Sequence, residues 1–175
     1  IEIFVKAMII INKLKGYDVV QLINERSFNT SPSLEKILLK YIFKNNRKVF
    51  LLACGVDTVS IKYAKEKKFR YSILSPYFEN KHLKKEFKHT LKYLKSNYLK
   101  LGKFIREKVN GIISSDLDYH IPYKNSKKYL GIIPNPINTD KLKKTEIIKK
   151  NKICILHAIN SKNKIKKGNE FFEKA

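Results

Sequence analysis

Lys162, Lys164, Lys166 and Lys167 crowd the stretch Ser161 to Gly168, directly after the apolar run Cys154 to Ala158. In a strand-to-helix connection, backbone N–H groups and the helix dipole already favour an anion, so cations there could hold a phosphate. A solvated lysine cluster is the plainer alternative. Gly55 and Asp57, in "ACGVDT" (Ala53 to Thr58), form a second candidate. Glycine permits a sharp turn or close backbone approach, and the Asp57 carboxylate can accept hydrogen bonds from hydroxyls. An ordinary turn with an Asp cap explains the same residues. Other polar sets follow apolar runs in "LINERSFN" (Leu22 to Asn29), "SSDLD" (Ser114 to Asp118) and "IPNPINTD" (Ile133 to Asp140).

Many other chemistries lack their motifs. The chain has no G-x-G-x-x-G, Walker A, H-E-x-x-H or C-x-x-C pattern. His82, His89, His120 and His157 show no shared metal spacing, so no metal site is expected; His82 and His89 could share a face of one long helix. Cys54 and Cys154 stand far apart, which fits reduced, buried strand residues rather than a disulfide framework.

These polar sets need elements to position them, and the pattern alternates between helical and strand-like segments. A helical stripe from Ile1 to Lys15 ends at Gly16, and Tyr17 to Asn24 reads as a strand. Ser31 and Pro32 open a helix with Glu35 in its first turn and Leu34, Ile37, Leu38, Tyr41 and Ile42 on its apolar face. Lys48 to Gly55 is the next strand, a short helix over Ser60 to Lys67 follows, and Arg70 to Pro76 is a candidate third strand. The apolar spacing of Leu83, Phe87, Leu91, Leu94, Tyr98, Leu101 and Ile105 predicts one helix from about Leu83 to Lys108. Strands are then expected at Asn110 to Ser115, Tyr129 to Pro136 and Lys152 to Ala158, the first two joined by a short helical connection.

Strands apolar throughout, alternating with helices, predict an α/β fold: a Rossmann-like parallel sheet with helices on both faces. Ligands then belong at the carboxyl ends of the strands, where the polar sets lie. The polar, lysine-rich stretch after Asn138 divides the chain into a domain over 1–138, a linker over 139–150 and the opening of a second domain over 151–175.

With 43% hydrophobic residues the chain can bury a core, and its longest apolar runs fall far short of a membrane span of about 20 residues. The formal charge of +23 invites a nucleic-acid or anionic-membrane reading. Lys far outnumbers Arg, the residue expected where bases or phosphates are gripped in a fork, and the joint richness in Lys, Ile and Asn fits a compositional bias of coding.

Taken in order, "GYDVVQLIN", "KVFLLACGVDT", "VNGIISSDLDY", "GIIPNPINTDKL" and "ICILHAINSKNKIKKGNEFFEKA" resemble the group 1 glycosyltransferases of the GT-B fold. The resemblance runs from about Gly16 to Ala175 and implies two facing Rossmann-like domains, the C-terminal one binding a sugar nucleotide. It implies that Gly55, Asp57, Ser114 and Asn135 face the acceptor side of the cleft. Lys167 matches the family lysine that helps hold the donor diphosphate, and Lys162 stands where its arginine partner is usual, although a gap could shift that match to Lys164. Pro136 and Asn138 depart from the family's Gly and Asp after Asn135.

The implied activity is transfer of a sugar from a nucleotide-sugar donor to a hydroxyl of a glycan or lipid-linked acceptor, in bacterial surface polysaccharide synthesis. It carries no bound cofactor, the nucleotide sugar being a substrate. The chain then reads as an acceptor-side domain lacking its first strand plus the start of the donor domain, incomplete at both ends and inactive alone. The implied location is cytoplasmic, peripheral at the inner face of an anionic membrane, with nucleic acid not expected as a partner. The alternative function is a basic binding module for nucleic acid or an anionic membrane surface.

Overall fold

The computed structural model describes residues 5, 9–142, 155–159 and 164–174. Strands β1 (Val19–Ile23), β2 (Lys48–Ala53), β3 (Gly111–Ser114) and β4 (Tyr129–Ile132) form one four-stranded sheet, all parallel and ordered as in the chain. Helix α1 (Pro32–Asn45) joins β1 to β2. The longer crossover to β3 carries α2 (Thr58–Lys65), α3 (Ser75–Glu79), α4 (Lys88–Leu91) and α5 (Ser96–Lys108), and α6 (Leu117–Tyr123) leads to β4. This is the expected Rossmann-like α/β architecture.

Side chains alternate across a strand, and paired residues of parallel strands share a face. Leu22, Leu51 and Ile112 are register partners, as are Ala53 and Ser114. That face holds the main core, where Leu39 and Ile42 of α1, Leu101 and Ile105 of α5, and Tyr119 and Tyr123 of α6 pack. Each fully buried aliphatic side chain there contributes about 1.5–3 kcal/mol. Among the described residues the other face is less covered: Phe50, Leu52 and Ile113 are half-buried, and Val19 and Ile23 are exposed.

Proline at the first position fixes the start of α1. Its first-turn Glu35 is fully buried and accepts from the backbone of Phe28 (2.8 Å) and Thr30 (3.0 Å) and from the Thr30 hydroxyl (2.9 Å). The buried face of α1 is therefore Glu35, Leu38, Leu39 and Ile42, with the expected Ile37 turned to solvent. Glu35 takes an inward position because the preceding loop needs an acceptor.

The long crossover builds a second core from Ile61, Ala64, Leu74, Phe87 and Tyr93. It also corrects two expectations. Arg70 to Pro76 forms no strand: Ser72 Oγ accepts from Leu74 N–H, Ser75 Oγ accepts from Ser72 N–H, and α3 begins at Ser75. Serine side chains here compete with a sheet ladder, and Pro76 lacks a donor for one. The predicted helix from Leu83 to Lys108 is broken into the 3-10 turn Lys81–Lys84, α4, the 3-10 turn Lys92–Leu94 and α5. Lys95 is extended (φ −72°, ψ 146°). Phe87, Leu91 and Tyr98 face the second core while Leu101 and Ile105 face the first, so the chain must turn between them. His82 and His89 consequently sit on separate short elements.

β4 ends at Ile132 rather than Pro136, as Pro134 and Pro136 cannot donate to a ladder. Of the expected strand from Lys152 to Ala158, residues 152–154, Cys154 included, lie outside the described residues, and 155–158 are irregular with Ile155 and Leu156 exposed. No described strand pairs with them, and a strand needs a partner. Cys54 follows β2 as a free, half-buried thiol. The turn Ile165–Lys167 packs Ile165 against the second core, and Gly168 (φ 69°) precedes α7 (Asn169–Lys174). Among the described residues no helix is long and apolar enough to cross a membrane.

Candidate functional site

The carboxyl ends of β2 and β3 are tied together, since Ser115 donates from its backbone (3.1 Å) and hydroxyl (3.3 Å) to the Ala53 carbonyl. Beyond β2 the chain turns at Gly55, whose φ of +67° is one that only glycine adopts at little cost. The Gly55 carbonyl accepts a hydrogen bond from the Tyr119 hydroxyl on α6. Gly55, Val56, Ser72, Asp118 and Tyr119 line a cavity of ≈ 50 Å³, well below the roughly 300–1,000 Å³ usual for a small-molecule site. Asp116 caps α6 by accepting from Asp118 N–H at 2.9 Å, and Asp118 is exposed at the rim.

Asp57 and Ser114 reach this edge through their backbones, but their side chains are fully buried. Asp57 Oδ1 caps α2 by accepting from Ser60 N–H at 2.7 Å, the ordinary cap that the sequence allowed as its plainer alternative. Asp57 Oδ2, the Tyr123 hydroxyl and the Ser114 hydroxyl are buried without a hydrogen-bond partner among the described residues. Neither Asp57 nor Ser114 therefore offers its side chain to a cleft.

What Asp57 borders is a buried network that no local motif announces. Glu25, just past β1 and 1% exposed, accepts from Thr58 N–H (2.9 Å), the Thr58 hydroxyl (2.8 Å) and Arg106 Nη1 (2.9 Å). Arg106 also donates to Thr58 Oγ1 at 3.0 Å. Burial pushes Glu25 up to about 7, Asp57 adds to the rise, and Arg106 and Thr58 oppose it. Burial also raises Asp57, against the hydrogen bonds from Ser60 and the charge of Arg106. One guanidinium thus faces two buried carboxyls, and the pair retains a proton near neutral pH. A carboxyl near 7 is poised for acid or base work, but Glu25 is too buried to touch a substrate. Its role is to hold β1, α2 and α5 together.

Asn135 is exposed beyond β4. Lys167 lies near Asp118, whose carboxyl burial and Asp116 raise and Lys167 lowers, so it stands at the same edge as Gly55. Lys162 lies outside the described residues. The structure thus gathers Gly55, Asp118, Tyr119 and Lys167 at one edge, leaves Asn135 apart and turns Asp57 and Ser114 inward. Among the described residues no group of three or more His, Cys, Asp and Glu side chains is placed to hold a metal ion.

Glu25, Thr58 and Arg106 were invisible as a set because 33, 48 and 81 positions separate the bonded pairs. One signal was available. Gly102 interrupts an otherwise good helix, and a Cβ there would overlap Thr58 Oγ1 and Glu25 Oε1. A lone glycine inside a helix often marks such an approach.

A four-stranded parallel sheet with polar loops gathered at its carboxyl edge places the chain in the class of Rossmann-like α/β proteins. Comparison with protein-family models, with curated proteins and with solved structures returned no match.

Proposed function

We propose that the chain is the acceptor-side domain of a GT-B glycosyltransferase, which moves a sugar from a nucleotide-sugar donor to a hydroxyl of a glycan or lipid-linked acceptor. The observation that carries this reading is positional. The segments that resemble the family fall in family order along successive parallel strands: "KVFLLACGVDT" on β2 and the turn after it, "VNGIISSDLDY" on β3 and α6, and the first two residues of "GIIPNPINTDKL" at the end of β4. Lys167, immediately before Gly168 and α7, stands where the family's donor-phosphate lysine would be, within electrostatic reach of the loop after β3.

In this reading Gly55 and the loop after β3 form the acceptor side. The small cavity between them is a rim of a site whose volume comes from a facing domain. Phosphate charge on the leaving nucleotide is stabilised by lysine and by backbone N–H groups aimed at it. The work is electrostatic and needs no side chain as deep as Glu25.

The test is sugar-nucleotide binding and transfer by the protein produced from its natural reading frame, using UDP-, GDP- and dTDP-sugars. Binding should weaken by about tenfold or more in Lys167→Ala, the loss of one charge-assisted phosphate contact. Absence of sugar-nucleotide binding, or binding indifferent to Lys167, sinks the reading.

A further inference from the structure

We propose that Arg26 and Lys92 form a binding site for a phosphate group, floored by Tyr93 and Tyr98, beside the loop that follows β1. Arg26 is held in place: its Nε (3.2 Å) and Nη2 (2.8 Å) both donate to the Thr30 carbonyl, and the guanidinium stands beside the Tyr93 hydroxyl, which burial raises and Arg26 lowers. The guanidinium lies 5.8 Å from the centre of the Tyr98 ring. The Lys92 ammonium lies 5.9 Å from that same ring and 5.7 Å from Tyr93, and the two tyrosine rings are 5.2 Å apart.

Both cations therefore lie against the Tyr98 ring. Among the described residues neither forms a salt bridge. Both are half-buried, and burial followed by the charge of Arg26 pushes the Lys92 ammonium down. Among the described residues no acidic group acts in the opposite direction on Lys92. A like-charged, partly desolvated pair without a counterion is unfavourable, and contacts with aromatic faces, at about 0.5–1 kcal/mol each, offset only part of it. An anion between the two would replace the mutual repulsion with attraction to both and offset the desolvation cost. A phosphate matches best, because a fixed guanidinium edge and a mobile ammonium together supply more donors than one carboxylate can use.

High lysine content alone does not produce this arrangement. The basic groove at the opposite, amino edge of the sheet is lined by Lys40, Lys44, Arg47 and Lys108, all exposed. Lys44 and Lys108 sit in the last turns of α1 and α5, where helix dipoles account for cations. Arg26 lies on no helix, whereas Lys92 follows the single turn of α4 and begins the 3-10 turn Lys92–Leu94.

Arg26 follows β1 at the carboxyl edge of the sheet, the edge that carries Gly55. Resting on the transferase reading, the phosphate would belong to the acceptor, making it a phosphorylated glycan or lipid-linked species. The site itself does not depend on that reading.

The experiment is a titration of the chain, with ¹³C-labelled tyrosine rings, by glycerol 1-phosphate in about 150 mM NaCl, where exposed charges are screened. The Tyr93 and Tyr98 signals should shift saturably. The affinity should fall by about tenfold or more in both Arg26→Gln and Lys92→Met, and stay unchanged in Lys44→Met. Lys92→Met guards against a folding defect, because Lys92, unlike Arg26, makes no side-chain hydrogen bond to the fold. A shift that never saturates, an equal loss in Lys44→Met, or an equal response to acetate overturns the proposal. Saturable phosphate binding with no transfer from any sugar nucleotide would fail the transferase reading alone. Transfer to a phosphate-free acceptor without phosphate binding would fail this inference alone.

Discussion

Glu25 concentrates the residue-scale energetics, because its carboxyl is satisfied by Thr58 and Arg106 yet sits beside a second buried carboxyl, Asp57. Its folded value of about 7 lies above the ordinary 4.5, so between these pH values the folded chain holds a proton that the unfolded chain releases. Stability from this group is therefore full below about 4.5, falls as pH rises through the window and levels off above about 7. Urea unfolding from pH 4.5 to 7.5 should show this fall relative to Glu25→Gln, in which it disappears. Asp57→Asn should keep the cap on α2 while removing the charge that raises Glu25, so the fall should end at a lower pH. Gly102→Ala gains about 1 kcal/mol of helix propensity but drives a methyl into Thr58 and Glu25. A net loss of about 1–3 kcal/mol in the same unfolding experiment is expected from the overpacking. Of this cluster only Asp57 was legible beforehand, as a cap or an acceptor after Gly55; its partners come from other elements.

At the scale of elements, local signals were strong where one element faces one core. Pro32 and Glu35 opened α1, β-branched runs marked β1 to β3, and Asp57 capped α2. They misled where a single stripe serves two cores. From Leu83 to Ile105 the 3.6-residue spacing continues through Lys95, yet the chain turns there because Phe87 and Ile105 are buried in different clusters. Phe87 is fully buried, so Phe87→Ala should cost the second core about 3–5 kcal/mol. Amide exchange should quicken across Thr58 to Leu94 while β2 keeps its protection, the response of a locally cooperative unit. Equal loss of protection in β2 would mean that the two cores unfold as one.

At the scale of the molecule, a net charge of +23 gives long-range attraction for polyanions without specificity. Binding to duplex DNA seen at 50 mM salt should therefore fall steeply and vanish by about 200 mM in a gel-shift titration. Binding that survives with a sequence preference would favour the basic binding module over the transferase. The alternation of apolar strands and amphipathic helices determined, by itself, that the chain forms a parallel α/β sheet with polar loops at its carboxyl edge. Such patterns are local: they report which residues share a face within a turn or a strand. Only the tertiary structure decided that Asp57 and Ser114 turn inward, that Glu25 meets Arg106, and that Arg26 and Lys92 both lie against the Tyr98 ring. Those contacts join residues tens of positions apart, and they are selected by the combined burial of two cores, a quantity that no single segment contains.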